Sequence, residues 1–574
     1  MTAHSLVDPD RYIGTVTLVT ASAVQANMPF ATANPGRRAM SRGGVGDFVF
    51  IDCERVKLLG RVTEVRLPDV ERLTVEPALG KAAETHPIGQ IQLLASVDHG
   101  GSKLLRGLKA HPRIGDAVYL ADPESFGGLI TNALAFGENL TVDLGTLDAG
   151  SGVRLRLQPE KVFGRHCGIF GATGGGKSWT LASMVDQIKV TGGKAVVFDP
   201  TGEFAGLPSI SKHYAFDAAE AGTTQVRFPY RKMTEDDLFA IFRPSGQSQG
   251  PKLREAVRSL KLVSALGGMS QTVTIYQSRL LTKRGKLRAA FYNEVQVQRQ
   301  ALHNPHCDFA IEDLADQLVA ECIYSSDREH PANFGGPDQQ ALGYCESLQA
   351  RIGTLVHSAE LACLFGAVGP SLAEVLDEFV ASEDDDIIRI SFKNVRFEHN
   401  TREILMNIIG RYLLFRARAD AFREKPLIVV LDEAHQFLGR TIGDDYASVR
   451  LDAFGLIAKE GRKYGLTCVL ATQRPRDIPA DVLSQLGTFI VHRLTNDDDR
   501  HAVERACGDL DRNAALFIPT LGPGEAIIIG PDLPAPVPIM IHRPLTPPNS
   551  KGPDYGTYWV ARNAAKKKPG SLLE

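Results

Sequence analysis

The chain has 574 residues, several times the common size of one domain, so two or three domains with ample buried core are expected. Its 64 Lys and Arg residues against 67 Asp and Glu residues give a formal net charge of −3, which excludes a global electrostatic attraction to nucleic acid. Any DNA contact must therefore come from a local patch or from a ring of subunits.

The cysteines and the hydropathy of the chain indicate which cellular compartment to expect. The 8 cysteines are scattered, with no CxxC pair and no histidine at zinc-finger spacing, so we expect reduced cytosolic thiols that fill core space. The start, MTAHSLVDPDRY, lacks a basic-then-apolar signal sequence, and no uninterrupted apolar run approaches the ~20 residues that span a bilayer. We therefore expect a soluble cytoplasmic protein without a membrane partner.

The first part of the chain, residues 1–150, is rich in short β-type runs. These runs are separated by Gly, Pro and Asp turns and lie at residues 13–20, 47–52, 60–67, 88–97 and 116–121. The pattern predicts a small N-terminal β-barrel.

From residue 151, apolar strands alternate with helical patterns, which is typical of a parallel sheet flanked by helices. Residues 234–376 have helical periodicity and are too long for a loop, so they are predicted to form an inserted helical subdomain. The α/β core is then expected at 151–233 and 377–545, before a C-terminal tail at 546–574. The predicted core strands are residues 166–170, 195–199, 387–392, 427–432, 466–472, 489–494 and 525–529.

The tail is Pro-rich, then aromatic at Tyr555, Tyr558 and Trp559, and then basic at Lys566 to Lys568. Three lysines near a terminus form either a solvated tail or a contact with phosphate or DNA, and both interpretations stay open.

Residues 171–178, GATGGGKS, lie between an apolar strand and a helical run. Glycines let the backbone N–H groups point at phosphate oxygens while the next helix presents its positive end. A glycine turn without nucleotide is the alternative, and the strand and helix around it argue against that. Lys177 is predicted to reach the β and γ phosphates of ATP and Ser178 to ligate Mg²⁺. The predicted nucleotide-binding residues are Gly171, Thr173, Gly174, Gly175, Gly176, Lys177, Ser178 and Trp179.

Two further strands end in polar residues. Residues 427–433, LIVVLDE, are predicted to form an apolar strand that ends in two carboxylates. Asp432 is predicted to hold Mg²⁺ through a water molecule and Glu433 to polarise the attacking water. Residues 466–473 form the next strand and end in Gln473, a candidate sensor of the γ-phosphate. An acid that caps a helix and an ordinary strand-to-loop amide are the alternative interpretations.

Four segments together resemble the HerA family of hexameric DNA-translocating ATPases, relatives of the FtsK-type DNA pumps. They are HCGIFGATGGGKS, VVFDPTGEF, VVLDEAH and KEGRKYGLTCVLATQRP. TQRP stands where DEAH helicases carry an SAT-type motif, so that class is not assigned. The resemblance covers most of residues 150–530 and implies a RecA-like P-loop core, with an N-terminal barrel similar in position to the family's small barrel.

The resemblance also implies roles for single residues. Lys177, Glu433 and Gln473 act in catalysis, Ser178 and Asp432 hold the metal, and Asp199 and Glu203 lie near the nucleotide. Arg462 acts as an arginine finger on the ATP of the neighbouring subunit, where a guanidinium neutralises charge on the transferred phosphoryl group. A solvated basic helix end is the alternative for Arg462, and Arg493 is the substitute finger.

We therefore expect an ATP-dependent double-stranded DNA translocase that works as a ring, expected to be a hexamer. A ring turns one or two basic residues per subunit into a collar, which gives sequence-independent and salt-sensitive binding. Candidates for the channel are Arg396, Arg402, Arg440 and Arg450, and for each of them a plain surface charge is the favoured alternative.

Members of the family work with partner enzymes: a NurA nuclease in DNA end processing, or a nuclease or a NAD-consuming, sirtuin-like effector in antiphage defence. No DxExK nuclease pattern lies in this chain, so an effector is expected to be a separate polypeptide. An ATP-gated assembly scaffold that does not move DNA is the competing hypothesis. A conjugation-type secretion ATPase is a third, less favoured without an apolar anchor.

Overall fold

A computed structural model of the chain describes residues 6–31, 43–54, 56–68, 86–98, 101, 103–135, 140–147, 152–216, 220–384, 386–396, 398–444, 447–508, 515–550, 555 and 559. Tyr558 and the lysines at 566 to 568, which carry part of the prediction for the tail, lie outside the described residues.

The elements are numbered in chain order. The strands are β1 (Tyr12–Val19), β2 (Ala23–Asn27), β3 (Phe48–Cys53), β4 (Val56–Arg66), β5 (Ile88–Val97), β6 (Leu104–Arg106), β7 (Ala117–Leu120), β8 (Val142–Leu147), β9 (Arg154–Leu157), β10 (His166–Phe170), β11 (Lys194–Asp199), β12 (Lys212–Ala215), β13 (Thr224–Gln225), β14 (Thr274–Tyr276), β15 (Leu280–Thr282), β16 (Ile387–Ser391), β17 (Leu427–Leu431), β18 (Arg440–Asp444), β19 (Ala447–Leu451), β20 (Leu466–Thr472), β21 (Leu486–Val491), β22 (Glu525–Ile529) and β23 (Val537–Ile541). The α-helices are α1 (Pro123–Ala135), α2 (Pro159–Val162), α3 (Lys177–Val190), α4 (Glu235–Phe242), α5 (Gln249–Ala265), α6 (Arg288–Val297), α7 (Arg299–Leu302), α8 (Leu314–Ala320), α9 (Gln339–Val356), α10 (Ala362–Phe365), α11 (Leu372–Ala381), α12 (Thr401–Arg418), α13 (Ala453–Glu460), α14 (Ala480–Leu483) and α15 (Asp497–Ala506).

The N-terminal strands form a closed antiparallel barrel. Its order is β1, β2, β5, β4, β3 and β7, and β7 pairs back to β1, which removes the open edges. Val49 and Ile51 of β3 point into the barrel, whereas Phe48 and Phe50 point out toward the rest of the molecule. Phe48 stacks on Phe126 of α1 at 4.4 Å between ring centroids, so β3 anchors the barrel to the core.

A 12-stranded sheet forms the centre of the molecule, in the order β13, β12, β16, β11, β17, β20, β10, β21, β22, β23, β8 and β9. The strands from β13 to β21 are parallel, and those from β22 to β9 are antiparallel. The parallel strands carry apolar side chains on both faces because each face is covered. All seven predicted core strands lie in this sheet, the sixth at 486–491 instead of 489–494.

Two segments of the chain belong to a different domain from the one predicted for them. β8 falls within 1–150, yet it pairs with β23 and β9 in the central sheet and not with the barrel. The chain after β23 is tied to the core up to residue 550, since the Leu545 N–H donates to Asp186 at 3.0 Å and the Asn549 N–H donates to the Glu203 carbonyl at 2.8 Å. The other boundaries stay predictions.

The segment 234–376 packs on one face of the sheet through helices α4 to α11. A capping box between Thr234 and Asp237 begins α4, and the Asp338 carboxylate caps α9. Buried leucines of these helices, among them Leu348, share one apolar cluster with Phe198 of β11. The sequence did not indicate the small hairpin of β14 and β15 within this segment.

The substitution Leu348→Ala tests whether these helices and the sheet share one core. Leu348 is 0 % exposed, so the substitution is expected to lower the free energy of unfolding by about 2–5 kcal/mol. The exposed Glu346→Ala on the same helix is the control and is expected to change it by less than about 0.5 kcal/mol. Urea unfolding followed by circular dichroism measures both; equal midpoints contradict the shared core.

Candidate nucleotide-binding site

The predicted phosphate loop joins the end of β10 to the start of α3. Gly174 and Gly176 have φ angles of 77° and 111°, a left-handed region that favours glycine. Lys177 is the first residue of α3, so the positive end of the helix faces the loop. The residues predicted to cradle phosphate therefore adopt the backbone that this role requires.

His492, just after β21, supports the loop from below. A Cβ on Gly171 would lie 2.7 Å from the His492 Cβ, and one on Gly176 would lie 3.2 Å from its Cε1. The ring Nδ1 lies 2.8 Å from the Glu525 carbonyl oxygen, which can only accept, so Nδ1 carries the proton. Nε2 then accepts from the Thr180 hydroxyl at 2.7 Å, and burial lowers the pKa of His492 to about 4. A neutral histidine thus ties the loop, α3 and two strands together.

Lys177 lies between two carboxylates at the end of β17. Its Nζ donates to Asp432 Oδ1 and to Glu433 Oε1, each at 2.8 Å. The three residues are 5 %, 1 % and 8 % exposed, so these contacts are screened little by water. Burial alone lowers the pKa of Lys177, but the two carboxylates outweigh it and the pKa is raised. Burial raises the pKa of Asp432 to about 6 against the opposing effect of Lys177.

Glu433 has a strained backbone and an unpartnered oxygen. Its φ and ψ of 46° and 45° lie in the left-handed region, which costs a non-glycine residue on the order of 1 kcal/mol or more. Its Oε2 is buried and makes no hydrogen bond within the described part of the chain, although His435 Nδ1 lies 3.3 Å away. Strained, over-determined backbone of this kind clusters at functional sites.

Gln473 connects the phosphate loop to the same acid. Its Nε2 donates to Glu433 Oε1 at 2.7 Å, and its Oε1 accepts from the Thr173 hydroxyl at 2.6 Å. The predicted sensor therefore lies in contact with the residue predicted to polarise water and with the tip of the loop.

The two acids of DPTGEF have different surroundings. Asp199 is 0 % exposed and accepts from the Gly202 and Phe204 N–H groups at 2.7 and 3.0 Å and from Arg389 Nε at 2.7 Å. Its oxygens thus hold the shape of its own loop. Burial raises the pKa of Glu203, and the nearby Ser178 hydroxyl and Lys177 oppose that rise. Glu203 therefore faces the predicted metal site, and Asp199 supports it from behind.

The two candidate arginine fingers lie at opposite edges of the sheet. Arg493 is exposed beside its own phosphate loop, since its carbonyl accepts from the Ala172 N–H at 2.9 Å. Arg462 precedes β20, whose 7 residues span roughly 20 Å before the loop edge is reached. Arg462 lies near His166, which begins β10. Burial lowers the pKa of His166 to about 4, and the positive charge of Arg462 contributes to this lowering. Within the described residues the exposed side chain of Arg462 makes no hydrogen bond or ion pair.

Trp179, predicted to contact the nucleotide, lies half-buried in the first turn of α3. The guanidinium of Arg543 lies 5.7 Å from the centre of its ring, within the range of a cation–π contact. Its contact with the nucleotide stays a prediction.

The four candidate channel arginines differ in exposure. Arg402 is 7 % exposed and donates to the carbonyls of Val395 and Lys393 at 3.1 and 3.0 Å, so its prediction as a channel residue is wrong. Arg396 is exposed and pairs with Glu360 at 2.9 Å. Arg450 is exposed on β19. Arg440 opens β18, and its side chain lies outside what the structure describes.

The chemistry of the site fits a magnesium nucleotide. The buried Oε2 atoms of Glu433 and Glu203 have no hydrogen-bond partner among the described residues, and both carboxylates flank Lys177 and Ser178. The described residues hold no group of three His, Cys, Asp or Glu side chains that could bind a metal alone. A magnesium ion held by one or two protein oxygens together with phosphate satisfies both observations.

Three supporting residues were not predicted: His492, Thr180 and Arg389. The glycines at 171 and 176 signal a close approach by another group but do not say which residue makes it. Arg389 lies fully buried in the middle of an apolar strand, which signals a carboxylate partner, and the structure shows two, Asp199 and Glu220.

A phosphate loop that opens a helix at the centre of a parallel sheet, with its lysine facing the acidic end of a neighbouring strand, defines a P-loop ATPase with a RecA-like core. The predicted fold class is thereby confirmed. Two family models match the chain: the central domain of helicase HerA over residues 142–321, beginning where β8 begins, and the helicase HerA-like C-terminal model over residues 417–553. The chain belongs to the HerA family.

Curated relatives match along most of their length. The DNA double-strand break repair helicase HerA of Pyrococcus furiosus is 23 % identical over 551 residues, covering 90 % of this chain and 88 % of the relative. The protein of the same name from Sulfurisphaera tokodaii is 22 % identical, covering 84 % and 86 %.

Solved structures of lower similarity include the unbound bacterial conjugative coupling protein TrwB, 13 % identical with a TM-score of 0.42, covering 74 % of this chain and 94 % of that chain. VirB4 of Thermoanaerobacter pseudethanolicus is 13 % identical with a TM-score of 0.41, covering 71 % and 97 %. Among the described residues, no helix has the length and apolar character needed to cross a membrane.

The substitution Asp432→Asn tests the buried charge. The pKa of Asp432 is about 6 in the fold against an ordinary 3.8, so the folded state binds the proton more tightly and loses stability as pH rises from about 4 to 6. The amide is expected to raise the free energy of unfolding at about pH 8 by up to about 3 kcal/mol and to flatten this pH dependence.

Thermal unfolding of the nucleotide-free protein at several pH values measures the effect of Asp432→Asn, with the exposed Asp498→Asn as control. A lower midpoint for Asp432→Asn at about pH 8 means that the pairing with Lys177 outweighs the burial of the carboxylate, which contradicts the prediction.

Proposed function

We propose that this chain hydrolyses ATP with Mg²⁺ at the site around Lys177. Bound ATP·Mg²⁺ supplies the phosphoryl group that is transferred to water. Lys177 binds the β and γ phosphates, while Ser178 and Asp432 hold the metal. Glu433 accepts a proton from the attacking water, and Gln473 orients that water against the γ-phosphate. The contacts of Lys177, Gln473 and Glu433 with one another support this division of roles.

We further propose that Arg462 completes the site of a neighbouring subunit. The position of Arg462 is the observation that carries the functional proposal. Its side chain is exposed and makes no ion pair with the described residues, and strand β20, roughly 20 Å long, separates it from its own phosphate loop. A group that cannot reach its own site but matches a finger motif acts across an interface. Head-to-tail interfaces of this kind close into rings, and we propose a homo-hexamer.

The ring is proposed to move double-stranded DNA through its centre. The relatives named DNA double-strand break repair helicase HerA support a DNA substrate. The hairpin of β18 and β19 follows Glu433 directly and presents Arg450 to solvent, so it is the candidate channel element. In a ring, one exposed arginine per subunit forms a collar of positive charge. Such a collar can bind DNA even though the chain has a formal net charge of −3.

A separate effector is part of the proposal. The family's known partners are a nuclease of the NurA type and a NAD-consuming enzyme of the sirtuin type, and the work is DNA end processing or antiphage defence. The neighbouring reading frame decides between them, and co-purification with its product tests the choice. Recovery of the ring without that product overturns this part alone.

Mixing two inactive variants tests whether each site is shared between chains. Lys177→Ala and Arg462→Ala are each expected to lose on the order of 10³-fold in ATPase rate. In mixed rings, about a quarter of interfaces combine an intact loop from one chain with an intact finger from the next, so activity returns to roughly that fraction.

The ATPase rate after co-refolding or co-expression of the two variants is the measurement. Lys463→Ala, the exposed neighbour of Arg462, is the matched control and is expected to keep activity. Absence of complementation in rings of verified mixed composition means that Arg462 does not act in trans.

A comparison of the wild-type protein with Glu433→Gln distinguishes a DNA translocase from an ATP-gated scaffold. Wild type is expected to show DNA-stimulated ATPase activity and to displace a protein roadblock from duplex DNA. Glu433→Gln is expected to bind ATP and form the ring without displacement. If wild-type rings activate the partner but show neither DNA stimulation nor displacement, the scaffold replaces the motor. Mass photometry of both proteins tests the hexamer.

A further inference from the structure

The helical segment packed on the sheet has a sharp division of charge along the chain. Residues 250–303 carry ten Lys and Arg residues against two acids, whereas residues 304–376 carry two against eleven. The basic half comprises α5, the small hairpin, α6 and α7. A near-neutral chain therefore contains one strongly basic stretch, and its fold decides whether those charges converge.

Four of these ten basic residues line a cavity of about 480 Å³ between α5 and α7. The α5 residues that line it lie at helical spacing of four and three, which places them on one face. Glu235 is the acidic residue in its lining. The basic side chains around the cavity are Arg254, Arg258, Lys261, Arg299 and His303.

Few of these cations are neutralised within the chain. Arg254 pairs with Glu235 at 3.4 Å and lies 4.6 Å from the centre of the Phe239 ring. Arg258 and Arg299 are exposed and make no ion pair or side-chain hydrogen bond with any residue that the structure describes. Like charges four residues apart on a helix destabilise it by roughly 0.2–0.5 kcal/mol, so the fold alone gives no reason to gather them.

A second cavity lies between α5 and the hairpin of β18 and β19. Arg254 also lines this second cavity, of about 500 Å³, together with Arg411 and Arg450. Asp236 and Asp452 line it as well, and Arg411 lies 3.4 Å from Asp237 and is thus partly neutralised. Arg254 therefore lies between two neighbouring cavities, one of which reaches Arg450 on β19 and the other Arg299 on α7. We name the side chains Arg450, Arg254, Arg258 and Arg299 the basic groove. Lys261 lies behind them, 9 % exposed, and its Nζ donates to the Asn304 carbonyl at 2.8 Å.

We propose that the basic groove binds the phosphate backbone of nucleic acid and extends the DNA path from the hairpin onto the helical segment. The inference rests on the proposed DNA translocase. A row of arginines along two neighbouring cavities matches a linear polyanion better than a compact phosphate, whose charge one cavity satisfies. The guanidinium groups are suited to phosphate oxygens, since each offers several donors in a planar fork.

Charge reversal at the unpaired arginines tests the proposal. The full chain with Arg258→Glu and Arg299→Glu is compared with wild type by fluorescence anisotropy on a labelled duplex, between about 50 and 200 mM salt. At the lowest salt the double variant is expected to bind at least about tenfold more weakly. Its plot of log affinity against log salt is expected to be shallower by about one to two, because fewer counterions are released.

Two further variants guard against misfolding. Arg258→Lys with Arg299→Lys keeps the charges and is expected to keep most of the affinity, whereas Arg258→Gln with Arg299→Gln removes them without introducing acids and is expected to weaken binding. Thermal midpoints of all variants verify folding. The charge-matched control reverses Arg328 and Arg423, which are exposed outside the groove.

The outcomes separate this inference from the proposed function. Wild type that binds no DNA overturns the translocase. Wild type that binds DNA, with a reversed groove of equal affinity and salt dependence, overturns the groove alone. An equal loss in the control variant also overturns it. A groove for an acidic protein partner would leave DNA affinity unchanged, which is the same contrary result.

Discussion

The contact between Lys177 and the two carboxylates at the end of β17 is the interaction on which the site depends. One ammonium group is shared between Asp432 and Glu433, so the buried cluster holds two carboxyl groups for one amine. An isolated buried charge is costly, and here each ion has a partner at hydrogen-bond distance. Phosphates and a metal ion therefore exchange ionic partners with groups already in place: phosphate takes the lysine, and the cation compensates the acids. Pre-set groups need little reorganisation, which favours catalysis.

Three adjacent parallel strands supply this arrangement, because their carboxyl ends meet at one edge of the sheet. β10 leads to the loop, β17 to the acids, and β20, between them, to Gln473. The other end of β20 begins after Arg462, so one stiff strand joins a group at its own site to a group that faces away from it. Under the proposed roles, a change at the γ-phosphate reaches the next interface through that strand without any large rearrangement of the fold.

The sequence predicted those features of the fold that local pattern determines. Strands buried on both faces are continuous apolar runs, and seven of the twelve strands of the central sheet were predicted in this way. β2, AVQAN, was missed because its sequence is short and half polar, and its place in the barrel depends on pairing with β5. β8 has the same β-type composition as the barrel strands, and only its register with β23 assigns it to the central sheet.

The site residues that belong to local motifs were predicted, whereas those set by the tertiary fold were not. Motifs identified Lys177, Asp432, Glu433 and Gln473 as one group, and the structure places them in contact, while their roles stay predictions. An arginine has the same appearance in sequence whether it faces solvent or not. Arg402 lies inside because two loop carbonyls need donors, a requirement set by the tertiary fold. His492 is likewise set by distant chain segments that meet beneath the loop.

The stretch from Glu433 to Arg462 explains how nucleotide chemistry and DNA movement could share one element. It contains, in order, the strained acid, the hairpin with Arg450, helix α13 and the proposed finger. The buried face of α13 packs on α12, and Ile442 and Leu451 of the hairpin are buried in the same core, while Arg450 and Arg462 remain exposed. A displacement of one end is thus transmitted to the other through packed helix and not through a loop. The basic groove meets this stretch at Arg450, so a backbone held along α5 would be moved relative to the hairpin whenever the interface around Arg462 changes.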